Sequence, residues 1–295
     1  MPISVKHGLV IAVLLAVSPV SAQAPDLSAV TILTTPLGDG LYMLEATGDV
    51  AGNIAVSVGE DGILIVDDQW EGLSGQILDA LQELHSGPLR FILNTHHHDD
   101  HTDGNAVLSA ATGATVVAHD MARARLMGKQ AAHWPTVTFA DRMTMYFNGE
   151  KIEVLAVPGG HTDNDSIVLF ENAKVVHMGD LFNSGRTSYP LAHLAAGGNA
   201  LQILRNIERI LPLVPEDATV IAGHGPISDR AGLADLRNML EYTIDFVRIR
   251  RAEGMSLDAI KAEGFPEQYN EWNHGYISAA EWIEMIYLSI EAPLQ

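Results

Sequence analysis

The chain has 295 residues, 47% of them apolar, a formal net charge of −20 and no cysteine. This length and apolar share suit a globular enzyme with a sizeable core and oppose disorder. The acidic balance repels phosphate backbones and so disfavours a general nucleic-acid binder or nuclease. Without cysteine, disulfides, thiolate metal ligands and cysteine nucleophiles are excluded together.

In chain order, Lys6 and His7 precede an apolar run, Gly8 to Val17, then Pro19 and Ala22-Gln23-Ala24. A short basic region, a short apolar core and a small-x-small end predict a signal peptide over residues 1–24, cut after Ala24. Lys6 is its only formal charge, so cleavage would leave −21 on residues 25–295. The run is too short for an ordinary transmembrane helix and no later segment resembles one. The expected product is periplasmic or secreted, with no stable membrane insertion after cleavage.

Short apolar runs at Leu41–Glu45, Asn53–Val58 and Gly62–Val66, separated by Gly38-Asp39-Gly40 and Glu60-Asp61-Gly62, read as strands. Leu73–His85 has helical apolar spacing, Arg90–Leu93 reads as a strand, and Ala106–Ala111 as a helix. Thr115–Ala118 is a predicted strand, and Asp120 a candidate cap for a helix Met121–Lys129. The second half begins again with strands at Met143–Tyr146, Ile152–Val157, Ser166–Phe170 and Lys174–Met178. A helix Ala200–Ile210 and a strand Thr219–Ala222 follow, and from about residue 229 the chain is mostly helical. This order predicts one α/β domain over residues 25–295, two β-sheets face to face with helices outside, plus a helical C-terminal extension.

The run His96-His97-His98-Asp99-Asp100-His101 follows the apolar strand Arg90–Leu93, where the chain leaves the core. In an extended segment residues two apart share a side, so His96 and His98 can converge on one metal while His97 points away. Asp100 and His101, displaced toward a helix, suit a neighbouring metal. Imidazole and carboxylate without thiolate suit zinc, with iron, manganese and cobalt not excluded.

The pattern His96-x-His98-x-Asp100-His101 resembles the signature of the metallo-β-lactamase superfamily. Pro158-Gly159-Gly160-His161-Thr162 is similar to its third-histidine loop, Gly179-Asp180 to its bridging-carboxylate turn, and Gly223-His224-Gly225-Pro226 to its last-histidine loop. Val66-Asp67 ends a strand, as that family's first motif aspartate does. The resemblance implies the αββα sandwich of that fold, with two mixed sheets. It also implies two metal ions, zinc in the first instance. His96, His98 and His161 would hold the first, Asp100, His101 and His224 the second, and Asp180 would bridge them. Asp100 would also orient the nucleophile. Asp67 is the candidate acceptor for the second N–H of a ligand imidazole, with a simple turn-forming role as the alternative. His119 and His177 read as structural, as does His193, with a pocket-lining role in the loop Asn183–Gly198 as its alternative, while His85, His133 and His274 have no assigned role.

Metals that polarise carbonyls, with no nucleophile elbow, P-loop or dinucleotide fingerprint, point to hydrolysis of a small molecule: a cyclic amide, lactone, ester or thioester. Trp70 resembles a pocket-wall tryptophan of the zinc β-lactamases. Five histidines with two aspartates instead resemble lactonases and glyoxalase-type thioesterases, although Gly223-His224-Gly225-Pro226 departs from the glyoxalase form. Asn183 and Tyr189, in the loop after Asp180, are candidate pocket residues and oxyanion donors. The segment Trp272-Asn273-His274-Gly275-Tyr276 is read as packing the last helix, with a homodimer contact as the alternative. Two other functions compete: an iron-dependent, persulfide-oxidising enzyme on the same fold, and a non-catalytic metal-binding module. Metal analysis and a substrate panel separate the three.

Overall fold

The structure is a computed structural model and describes residues 25–48 and 50–291. The predicted leader therefore lies outside the described residues. Among these, thirteen strands form two sheets. The first takes its strands in chain order: β1 (Ile32–Gly38), β2 (Leu41–Ala46), β3 (Ile54–Gly59), β4 (Gly62–Val66), β5 (Leu89–Leu93), β6 (Thr115–His119) and β7 (Val137–Phe139). β1 to β4 pair antiparallel, and β4 to β7 parallel. The second holds β8 (Arg142–Phe147), β9 (Glu150–Ala156), β10 (Ser166–Phe170), β11 (Val175–His177), β12 (Thr219–Ile221) and β13 (Ser228–Asp229). Its only parallel pair is β11 with β12.

Strand alternation builds the layers. In β4, Leu64 and Val66 face the second sheet, whereas Ile63 and Ile65 face the outer helices. In β10, Val168 and Phe170 meet the first sheet and Ile167 and Leu169 the other side. Strands covered on both faces are apolar at every position, which is why these runs carry no polar alternation. Over the first sheet lie α1 (Ser74–Leu84) and, beyond the short α2 (Asp99–Thr102), α3 (Asn105–Thr112), supplying Ile77, Leu81 and Leu108. α4 (Asp120–Leu126) follows β6. Its cap is the His119 imidazole, which accepts from Met121 N, and not Asp120 as expected.

The second sheet is covered by α5 (Ala200–Ile210) and α6 (Arg230–Ala252), then α7 (Leu257–Glu263) and α8 (Ala279–Ser289). Asn199 caps α5, Asp229 caps α6, and Ser278 with Glu281 forms a capping box on α8. Trp282 on α8 is fully buried and donates from Nε1 to Thr243 Oγ on α6 at 3.0 Å. Truncating such a tryptophan costs about 3–5 kcal/mol. The helical extension is therefore built into one of the two outer cores. The layers run α–β–β–α, the sandwich expected.

Candidate metal centre

The candidate residues leave the sandwich at one edge, after β4, β5, β11 and β12 and in the loop between β9 and β10. Parallel strands β4 and β5 end side by side, placing Asp67 beside Asn94 and Thr95. The chain bends at Thr95, His96 and His97 instead of continuing extended as expected, His98 is extended, and α2 then turns Asp100 and His101 back beneath them. The β9–β10 loop brings in His161, a 3-10 turn after β11 brings in Asp180, and the segment after β12 brings in His224.

Ligand atoms of His96, His98, His161 and Asp180 lie within 4.8 Å of one another, as do those of Asp100, His101 and His224. Asp180 stands between the groups. Its Oδ2 is 3.5 Å from His161 Nε2 and 3.9 Å from His96 Nε2, while its Oδ1 is 3.1 Å from His101 Nε2. His224 Nε2 is 3.2 Å from Asp100 Oδ2 and 3.6 Å from Asp180 Oδ2.

Hydrogen bonds on the far side of the rings decide which nitrogens face inward. Asp67 is fully buried and accepts from His101 Nδ1 at 2.8 Å, from Thr95 N at 2.7 Å and from Thr95 Oγ at 2.8 Å. With its own proton given to Asp67, the Thr95 hydroxyl accepts from His96 Nδ1 at 3.0 Å. Leu191 O accepts from His161 Nδ1 at 2.7 Å. His96, His101 and His161 therefore turn Nε2 lone pairs toward the centre. Asp67 takes φ +65°, a left-handed conformation costing about 1–2 kcal/mol in an L-residue, which its three hydrogen bonds hold in place.

These lone pairs provide a test of fit for a cation. His98 Nδ1 lies 3.1 Å from His96 Nε2 and 2.9 Å from His161 Nε2. Two nitrogens about 2.0 Å from one tetrahedral zinc ion would be roughly 3.3 Å apart. His101 Nε2 and Asp180 Oδ1 are buried, 3.1 Å apart, and neither has a hydrogen-bond partner of sound geometry. Facing acceptors repel unless a cation lies between them, and the residues present fit one at each group.

The charge states of the first group agree, while the surrounding carboxylates raise His101 above the usual imidazole range, so a cation at the second group would displace its proton. Burial, with the neighbouring imidazoles, holds His96 well below the usual imidazole range and His98 down to about 2, so both are neutral ligands. Burial likewise lowers His161. At Asp100 burial pushes upward, but His101 and His224 more than offset it and the carboxyl titrates at about 2. Asp180 is held well below the ordinary range against its burial, chiefly by His101 and His224.

Other expected residues fall elsewhere. Tyr189 is not on the rim: it is 1% exposed, packs against Phe265 and Trp272, and gives its hydroxyl to Tyr269 O at 3.0 Å. With that proton committed inside the core it cannot serve as an oxyanion donor. Asn183 pairs its backbone with His224 and lines a cavity of about 310 Å³ with Phe182, Arg186, Pro226 and Trp272. Trp70 is half-buried against the first outer core and donates from Nε1 to Val50 O at 2.7 Å. It thereby anchors the segment leading into Gly52, which abuts His101. His97 turns away from the ligand atoms toward Asn164. His177 gives Nε2–H to Asn53 O and accepts from Gly179 N, a structural role.

Several contributors were assigned no such role from the sequence. Gly52 and Gly223 touch ligand side chains so closely that a Cβ would lie 2.2 Å from the His101 ring and 2.1 Å from Asp180 Oδ1. Asn53, 1% exposed, donates from Nδ2 to Ala222 O and Gly225 O, tying β3 to the last-histidine segment. His193 Nδ1 lies 2.8 Å from His98 Nε2, a contact that a histidine in an unpatterned loop does not advertise.

Four layers with a histidine–aspartate cluster at one shared edge define a metal-site α/β sandwich. The chain belongs to the metallo-beta-lactamase superfamily, whose sequence model matches residues 47–224. Relatives include a hydroxyacylglutathione hydrolase of Brucella anthropi, 28% identical over 229 residues, 72% of this chain and 81% of that one. Another, from Methylococcus capsulatus, is 33% identical over 156 residues, 52% of this chain and 54% of that one. A metallo-beta-lactamase from Pontibacter korlensis superposes with a TM-score of 0.63 at 21% identity, covering 72% of this chain and 99% of its own. The DIM-1 metallo-beta-lactamase gives 0.63 at 22% identity with the same coverage. These structures share the fold.

Proposed function

We propose that this protein is an exported dinuclear-metal hydrolase acting on the carbonyl group of a small molecule: a lactam, lactone or thioester. The observation that carries this reading is the set of inward-facing ring nitrogens of His96, His98, His161 and His101, arranged in two groups with the Asp180 carboxylate in reach of both. His96, His98 and His161 would hold one divalent ion, zinc in the first instance, Asp100, His101 and His224 the other, and Asp180 both. When bound, such a pair supplies Lewis acidity toward a water and toward a carbonyl oxygen.

The chain's own groups do the rest. Asp67 fixes His101 directly and His96 through Thr95, so that one buried carboxylate orients a ligand of each ion. Asp100, ionised at neutral pH, provides an acceptor at the edge of the centre that can orient the attacking water. Relatives named hydroxyacylglutathione hydrolases support a hydrolase, and neighbours named metallo-beta-lactamases keep lactams among the candidates.

The test is a panel of β-lactams, lactones and acyl thioesters offered to zinc-reconstituted protein. At least one class should be cleaved, with kcat/KM falling 100-fold or more on chelation and returning with zinc. A metal-loaded chain that cleaves none, or that carries a single iron, would overturn the proposal. N-terminal sequencing of protein recovered outside the cytoplasm should begin at Pro25.

A further inference from the structure

We propose that His193 is a positioning residue that makes His98 present Nδ1 to the first metal position, and that this position's affinity depends on it. The inference rests on the dinuclear reading above. Among the three histidines of that group, His98 is the exception. His96 and His161 point Nε2 inward because Thr95 Oγ and Leu191 O engage their Nδ1–H groups. His98 instead turns Nδ1 inward, within 3.1 Å of both neighbouring Nε2 atoms. An imidazole with its lone pair on Nδ1 carries its hydrogen on Nε2, and His193 Nδ1 lies 2.8 Å from that atom. His193 is thus the acceptor that selects the tautomer.

The backbone around His193 is fixed independently of its ring. Its N–H donates to His161 O at 2.9 Å, and its carbonyl accepts from Ala196 N at 2.8 Å and Gly198 N at 2.9 Å. Gly198 closes the turn so tightly that a Cβ would meet His161 O at 2.2 Å. One short turn therefore holds two ligands of the same group: His161 through Leu191 O and His193 N, His98 through the His193 side chain. The other charged or titratable groups felt by His193 are Arg125, which is held by a bidentate pair with Asp163, and His97. Because the turn's main-chain bonds survive any side-chain change, substitution at residue 193 separates the imidazole's role from the loop's.

Zinc titration of the stripped chain against a chromophoric chelator tests this, with wild type, His193→Ala and His193→Asn in parallel. Wild type should bind two ions. His193→Ala should weaken one by about 10- to 100-fold, the usual cost of losing a partner behind a ligand. The second should stay within about threefold of wild type. In His193→Asn, Oδ1 takes the place of Nδ1 and should restore most of the loss. Cobalt-loaded His193→Ala should show altered d–d absorption that the Asn variant reverses. Two wild-type ions with unaltered affinity in His193→Ala would overturn the proposal, as would equal loss in both variants, which marks a merely structural role. A wild type that binds fewer than two ions would overturn the dinuclear reading and this inference with it.

Discussion

At Gly223 the absence of a side chain is what lets Asp180 reach both ligand groups. A Cβ there would lie 2.1 Å from Asp180 Oδ1 and 2.7 Å from Gly179 O, so carboxylate and backbone would both have to move. Gly223→Ala should weaken both zinc ions by tenfold or more in a chelator titration, and unchanged affinities would refute the requirement. The candidate ligand residues were legible because histidine and aspartate are chemically conspicuous at strand ends. Their supports were less so. Asp67 could be suspected from its place after Val66, but Thr95, which relays its hold to His96, is an ordinary threonine until the fold closes. Tyr189 was misplaced for the same reason. A tyrosine in a loop after Asp180 reads as a rim residue, whereas Phe265 and Trp272, more than 75 positions away, make it core.

Among the elements, strands buried on both faces were the most legible, since Ile63–Val66 and Ile167–Phe170 are apolar throughout. β1 and β7 escaped notice because β1 is largely exposed and contains Pro36, and β7 has only three residues. The helical extension carried no functional signal in sequence, yet it grips the loop that supplies Leu191 and His193. Tyr189 gives its hydroxyl to Tyr269 O and Ser188 Oγ accepts from Ile277 N at one end of that loop. At the other end Ser289, 1% exposed, accepts from Ala200 N on Oγ and from Asn199 Nδ2 on its carbonyl. Ser289→Ala leaves Ala200 N–H buried without that partner, a cost of about 1–3 kcal/mol. Its Tm should fall by roughly 2–10 °C with two metal ions still bound. An unaltered Tm would show that α8 does not brace the loop.

For the whole molecule, the metal-free state should be sensitive to acid. Burial lowers His96, His97, His98, His161, His177 and His193, so these six take up protons on unfolding once the pH falls below the ordinary imidazole value of 6.5. Their contribution is full above 6.5 and is lost as pH falls toward their folded values. Three groups oppose them. The carboxylates Asp180, Asp100 and Asp67 raise His101 against its burial, and burial raises Asp68 and Asp165, the latter to about 8. His101 favours the fold at low pH, and Asp68 and Asp165, protonated in the fold, destabilise it as pH rises above 3.8. With six groups against three, the chelator-treated protein should lose about 5 °C in Tm between pH 7.5 and 5.5. A flat or rising Tm would contradict this balance. The fold class was legible mainly because five ordered motifs carried a family resemblance, and periodicity alone gave only alternating strands and helices. The substrate was not legible, because the groups around the centre are assembled from segments as distant in sequence as Gly52, Thr95, Leu191 and Gly223.

The central claim is that one carboxylate serves two metal ions. Its most direct measurement is zinc stoichiometry and affinity in wild type and Asp180→Ala, by titration of stripped protein with metal analysis of the loaded form. The account predicts two ions per wild-type chain and weakened occupancy of both positions in Asp180→Ala. Two ions bound undiminished by the variant, or a single ion in wild type, would contradict it.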